Sequence, residues 1–153
     1  NNLNYAYLNK INLHSQEISI FSAKIARINS IRKILKKYQK NFAKKNKNCC
    51  IEGRDISSKI LPRSNVKFFF KCSLNIAAKR RFKELKKIDK NVTLSEIKKA
   101  LRIRNISDIK RKNSPLLKHP ESIEIDSGKL SKLAMVAKMS KFIDKIIKKK
   151  HGS

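Results

Sequence analysis

The chain has 153 residues, with 39 Lys or Arg against 11 Asp or Glu and a formal net charge of +28. That length fits one domain with a sizeable core, and the charge draws the protein toward anions: nucleic acid, nucleotides, phosphates or acidic membrane. No run of eighteen apolar residues occurs, which excludes a membrane-spanning helix, and residues 1–10 lack the charged and apolar regions of a secretory signal.

From Ser15 the pattern is helical, with Ile18, Phe21, Ile25 and Ile28 forming one apolar face. Asn29-Ser30 reads as a break at which Ser30 caps a second helix. That helix carries Ile31, Ile34, Leu35, Tyr38 and Phe42 in one stripe and frays into AKKNKN at 43–48. The apolar CCI at 49–51 predicts a first buried strand over 48–53, ending at Gly53. VKFFFKC at 66–72 predicts a second strand, buried on both faces as in a parallel sheet covered by helices. Cys49, Cys50 and Cys72 lie in these two runs without metal-ligand spacing, so they read as buried thiols in a reducing cytoplasm.

LNIAAKRRFKELKK at 74–87 reads as a helix with Ile76, Ala77, Arg80 and Leu85 placed to pack. Thr93 and Glu96 form a capping box ahead of Leu94, Ile97 and Leu101. SIEIDS at 122–127 alternates and predicts a third strand. A last amphipathic helix uses Leu130, Leu133, Val136, Met139, Phe142 and Ile146. Strands alternating with helices imply an α/β fold with a largely parallel sheet.

Open parallel sheets bind ligands beyond the carboxyl ends of their strands. Arg54 and Asp55 directly follow the predicted first strand, which places them over such a crevice. A guanidinium there can grip two oxygens of a phosphate or carboxylate; alternatively the pair only ties down a loop. In a second group, Arg104, Asp108 and Arg111 stand at i, i+4 and i+7, on one helical face. An arginine preceding the acid is the less favourable order for the helix dipole, so the arrangement hints at a nucleotide clamp, although a solvated charged face fits the same pattern.

IRKIL (31–35), IEGRDI (51–56), RNISDIKRKNSPL (104–116) and IEIDS (123–127), in that order, resemble the cytidylate kinases, bacterial-type enzymes of the nucleoside monophosphate kinase family. The likeness runs from about Leu13 to Ile147, and its most specific pieces are Gly-Arg-Asp and the R-x3-D-x2-R-x3-P-L run. It implies a three-layer parallel-sheet P-loop fold and transfer of the γ-phosphoryl group of ATP to CMP or dCMP, with Mg²⁺ held through the nucleotide phosphates and no metal ligands of the protein's own. It implies that Arg32 and Asp55 read the cytosine edge, that Arg54 and Arg111 hold the acceptor phosphates, and that Arg104 and Asp108 meet the ribose and the reacting phosphates. Arg54, Arg104 and Arg111 are then the catalytic arginines, and 104–114 is a mobile lid. A cytoplasmic monomer without membrane or specific nucleic-acid partners follows from the same likeness.

The sequence departs from the family pattern at Asn105, where an aspartate is usual, at Ala23, where a serine is used near the sugar, and at Asn29 in place of proline. A larger departure is the P-loop, G-x4-G-K-[ST], whose amides and lysine cradle ATP phosphates. The chain has only Gly53, Gly128 and Gly152 and no such motif. It also does not begin with Met, and the expectation is the C-terminal portion (1–153) of a single kinase domain, truncated before its P-loop strand and inactive alone. Strands 48–53 and 66–72 should then lie parallel on either side of a strand-wide gap. Two other readings compete. A small basic RNA-binding or ribosome-associated protein suits the charge but lacks recognition motifs, and FIDKIIKKK at 142–150 could lie on a membrane surface. A lysine-rich proteome alone would also produce the charge.

Overall fold

The computed structural model describes residues 15–151; Leu13, from which the resemblance is expected to run, and residues 1–10, read as lacking a secretory signal, lie outside them. Helix α1 (Gln16–Ile25) starts where Ser15 accepts the Ile18 amide on its hydroxyl, and α2 (Asn29–Lys45) follows after a short turn. A π-helical turn (Ile56–Ile60) precedes β1 (Phe68–Lys71) and α3 (Leu74–Leu85), capped by Ser73. Helix α4 (Leu94–Lys110) opens on the expected Thr93/Glu96 capping box, each residue satisfying a backbone amide of the other. Strand β2 (Ile123–Asp126) and α5 (Lys132–His151) complete the described chain.

The two strands pair in parallel, Phe68 beside Ile123 and Lys71 beside Asp126, with α3 and α4 in the connection between them. Ile125 is wholly buried on β2. The main apolar cluster lies between α3 and α4, where Ala78, Leu85 and Ile97 are buried and Phe82, Val92 and Leu101 pack around them. This is a small parallel sheet with helices, the α/β class expected.

Several local expectations are corrected. Residues 48–53 form no strand: a strand persists through its ladder, and no described segment pairs with this one. There is accordingly no pair of strands flanking a gap; β1 pairs with 123–126 instead. Strand β1 is not buried on both faces, since Phe70 is 49% exposed. All three cysteines are exposed rather than buried. Ser30 lies inside α2, whose N-cap is Ile28, without a side-chain hydrogen bond. The apolar stripes of α1 and α2 exist, but Phe21, Ile34, Leu35, Tyr38 and Phe42 are exposed among the described residues. Arg80 does not pack inside; it donates to the Ser127 carbonyl (2.7 Å) from an exposed position.

Candidate functional site

Arg54 and Asp55 are placed by the π-helical turn and not by a strand end. The Asp55 carbonyl accepts from both Lys59 N (2.9 Å) and Ile60 N (3.1 Å), the second being the i to i+5 bond of a π-turn. Ile60 anchors this turn in the interior. Gly53 lets the chain enter it: a Cβ there would sit 2.8 Å from Ile56 Cγ1. Asp55 is buried as a result, while Arg54 beside it stays half-exposed. Helix α2 packs on the π-turn, so Arg32 from its first turn reaches the Asp55 carboxylate in a short ion pair and also donates to the Ala26 carbonyl (3.2 Å).

The second group converges on the same carboxylates. Asp108 is buried on the last turn of α4, and Arg111 is the C-cap, in extended conformation rather than on the helix. Its side chain nevertheless folds back, with Nη1 donating to Asp108 Oδ1 at 3.2 Å and Nη2 lying 3.7 Å from Asp55 Oδ1. Arg54 Nε lies 3.3 Å from Asp108 Oδ2. Ser114, with φ of 52° in the left-handed region, turns its carbonyl to accept from Arg111 Nε. The Leu116 amide returns to the Asp108 carbonyl at 2.7 Å. All six residues expected from the sequence thus lie in one electrostatic cluster, with Arg104 entering through the fields of Arg54 and Asp108.

Four guanidiniums here face two carboxylates, a surplus of two positive charges. Burial holds Arg104 below the ordinary arginine range, and the nearby Arg54 charge adds to this while Asp108 offsets it. Arg111 is lowered by burial first and then by Arg32, against the pull of Asp108 and Asp55. Both remain charged at neutral pH, in a position an anion would relieve. Hydrogen bonding is also incomplete. Arg104 Nε and Arg111 Nη2 are buried donors without a hydrogen-bond partner, and Asp108 Oδ2 accepts none, since the Arg54 contact lacks hydrogen-bond alignment. Buried polar atoms of this kind are uncommon in folded proteins and call for an explanation.

Sequence reasoning missed Ser19, Arg27, Arg81 and Ser107. Arg104 Nη1 donates to Ser19 Oγ at 2.9 Å, and Arg27 Nη2 donates to Ser107 Oγ at 2.8 Å. Arg81 of α3 adds its positive field at Arg104. No local pattern marks these contacts, because they join segments far apart in sequence.

The cytidylate kinase family profile matches residues 4–145. The chain is 37% identical over 146 residues to the cytidylate kinase of Bartonella tribocorum (strain CIP 105476 / IBS 506), covering 95% of this chain and 68% of that protein. It is 33% identical over 135 residues to the cytidylate kinases of Rickettsia rickettsii (strain Sheila Smith) and Rickettsia canadensis (strain McKiel), covering 88% of this chain and 62% of each. The chain therefore spans roughly two thirds of the length of these relatives. An arginine-rich cluster assembled from the segments that carry the likeness, and a profile match over nearly the whole sequence, lead to one conclusion: the chain belongs to the cytidylate kinase family.

Proposed function

We propose that the cluster is the acceptor site of a (d)CMP kinase, in a three-layer P-loop nucleoside monophosphate kinase fold, acting as a cytoplasmic monomer. The observation that supports this is the pair of buried donors without a hydrogen-bond partner, Arg104 Nε and Arg111 Nη2, within a cluster carrying two surplus positive charges. A phosphate monoester carries about −1.5 to −2 charges at neutral pH and three acceptor oxygens, which answers both features. Arg54, Arg104 and Arg111 hold the phosphate of CMP or dCMP in this reading. Arg32 and Asp55, already paired, present a donor and an acceptor to the cytosine edge, and Asp108 keeps Arg54 and Arg111 aligned. Phosphoryl transfer asks mainly for such positioning and positive charge.

The residues present do not fit the donor side. The sequence has no G-x4-G-K motif, and the described residues contain no group of three or more His, Cys, Asp or Glu side chains suited to a metal ion. The carboxylates of Asp55 and Asp108 are engaged by arginines. ATP phosphates and Mg²⁺ therefore have no identified seat among these residues. The test joins to Asn1 the portion of the Bartonella tribocorum relative that this chain does not match. With ATP and CMP, that chimaera should form ADP and CDP, whereas the 153-residue chain alone should form neither. An inactive chimaera, with a correctly folded product, would count against the kinase reading; turnover by the chain alone would show that a P-loop is not required.

A further inference from the structure

Helix α4 is held in two different ways along its length. Its first half carries Ile97 and Leu101 into the apolar cluster with α3. Its second half has no such anchor: Ile103, Ile106 and Ile109 are 60%, 48% and 58% exposed. A cleft of about 560 Å³ lined by Arg27, Ile106, Ser107 and Arg111 adjoins this half, and a cavity of about 50 Å³ lined by Ser19, Ile20, Leu85, Leu101 and Arg104 lies where the two halves meet. Polar contacts must therefore hold this segment in place. Two of them reach the α1 region and run in opposite directions: Arg104 of α4 donates to Ser19 of α1, and Arg27 just after α1 donates to Ser107 of α4.

We propose that Ser19, Arg27 and Ser107 form a two-point latch between α1 and the second half of α4, positioning Arg104 and Asp108 for the acceptor phosphate. The positioning role rests on the acceptor-site reading above; the latch itself does not. Two hydrogen bonds at separate points fix both the distance and the rotation of a helix segment, which a single contact cannot do. One latch donor is Arg104 itself, so Ser19 orients a guanidinium whose Nε is left for a ligand. Ser107 immediately precedes Asp108, so holding its hydroxyl holds the turn from which Asp108 meets Arg54 and Arg111. A helix segment whose apolar side chains stay about half exposed opens locally at lower free energy than its packed half, and the latch opposes that opening.

The test compares amide hydrogen exchange and CMP affinity in the 153-residue chain, in Ser19→Ala, in Ser107→Ala and in the double variant. Ser95→Ala, on the exposed start of α4, controls for the helix-propensity gain of Ser to Ala. Exchange over 103–111 should rise about tenfold in each single variant, the factor expected for losing one hydrogen bond from a charged donor, and further in the double variant, while 94–100 stays unchanged. CMP affinity should fall by about the same factor, and the Ser19→Thr/Ser107→Thr variant, which keeps both hydroxyls, should restore it. Unchanged exchange in both single variants and the double variant would overturn the latch. Faster exchange with unchanged CMP affinity would overturn the positioning role. If the unaltered chain does not bind CMP, the acceptor-site reading fails, and the exchange measurement still decides the latch.

Discussion

Asp55 illustrates how one buried carboxylate organises several arginines. It takes Arg32 from α2 and Arg111 from the end of α4, and is itself fixed by the π-turn that follows Gly53. Asp55→Ala would leave two largely buried guanidiniums short of a counter-charge in a cluster already in positive surplus. Breaking a buried pair in this way costs about 3–5 kcal/mol. Lys59→Ala, on the exposed side of the same turn, should stay within about 0.5 kcal/mol. Urea unfolding of the two variants checks this, and equal midpoints would remove Asp55 from its organising role. Five of the six expected site residues were legible because Gly-Arg-Asp and R-x3-D-x2-R are short, dense motifs, and Arg32 followed from the IRKIL segment of the family likeness. Ser19 and Ser107 were not legible: a serine hydroxyl becomes informative only when an arginine distant in sequence reaches it.

Helix α4 links the capping chemistry to the site, since its first turn carries the capping box and its last turn holds Asp108. The Glu96 carboxyl is held below the usual glutamate range, first by the Thr93 hydroxyl and then by the Thr93 amide. A carboxyl lowered by folding stabilises the folded state above its unfolded pKa of about 4.3. That contribution fades as pH falls through the lower folded value. Glu96→Gln, which can still complete a capping box but without the charge, should be less stable than the parent chain near neutral pH and lose less stability on acidification. Urea midpoints from neutral pH to about pH 3 measure the difference, and parallel curves would deny Glu96 its role. The box was legible because Thr-x-x-Glu is a local signature. The first strand was misread for a related reason: CCI carries strand chemistry, but a ladder partner is not written in the segment itself.

Periodicity identified the apolar faces of α1 and α2, but it specifies which side chains share a face and not what covers them. Phe21, Tyr38 and Phe42 remain exposed among the described residues. Likewise the net charge of +28 signals attraction to anions without naming one. Here the local arrangement decides more than the total, because three arginines share two carboxylates, a fourth lies in their field, and two buried donors lack a hydrogen-bond partner. Among the described residues no helix is long and apolar enough to cross a membrane, and nothing in the fold favours an RNA-binding surface over a nucleotide site. If the arginine cluster is an acceptor-phosphate site, the phosphate must carry the affinity. Calorimetric titration of the 153-residue chain with CMP and, separately, with cytidine measures this. CMP should bind with 1:1 stoichiometry and cytidine roughly tenfold or more weakly, with Arg111→Ala narrowing the difference. Equal affinity for CMP and cytidine, or a difference that Arg111→Ala leaves unchanged, would contradict the account.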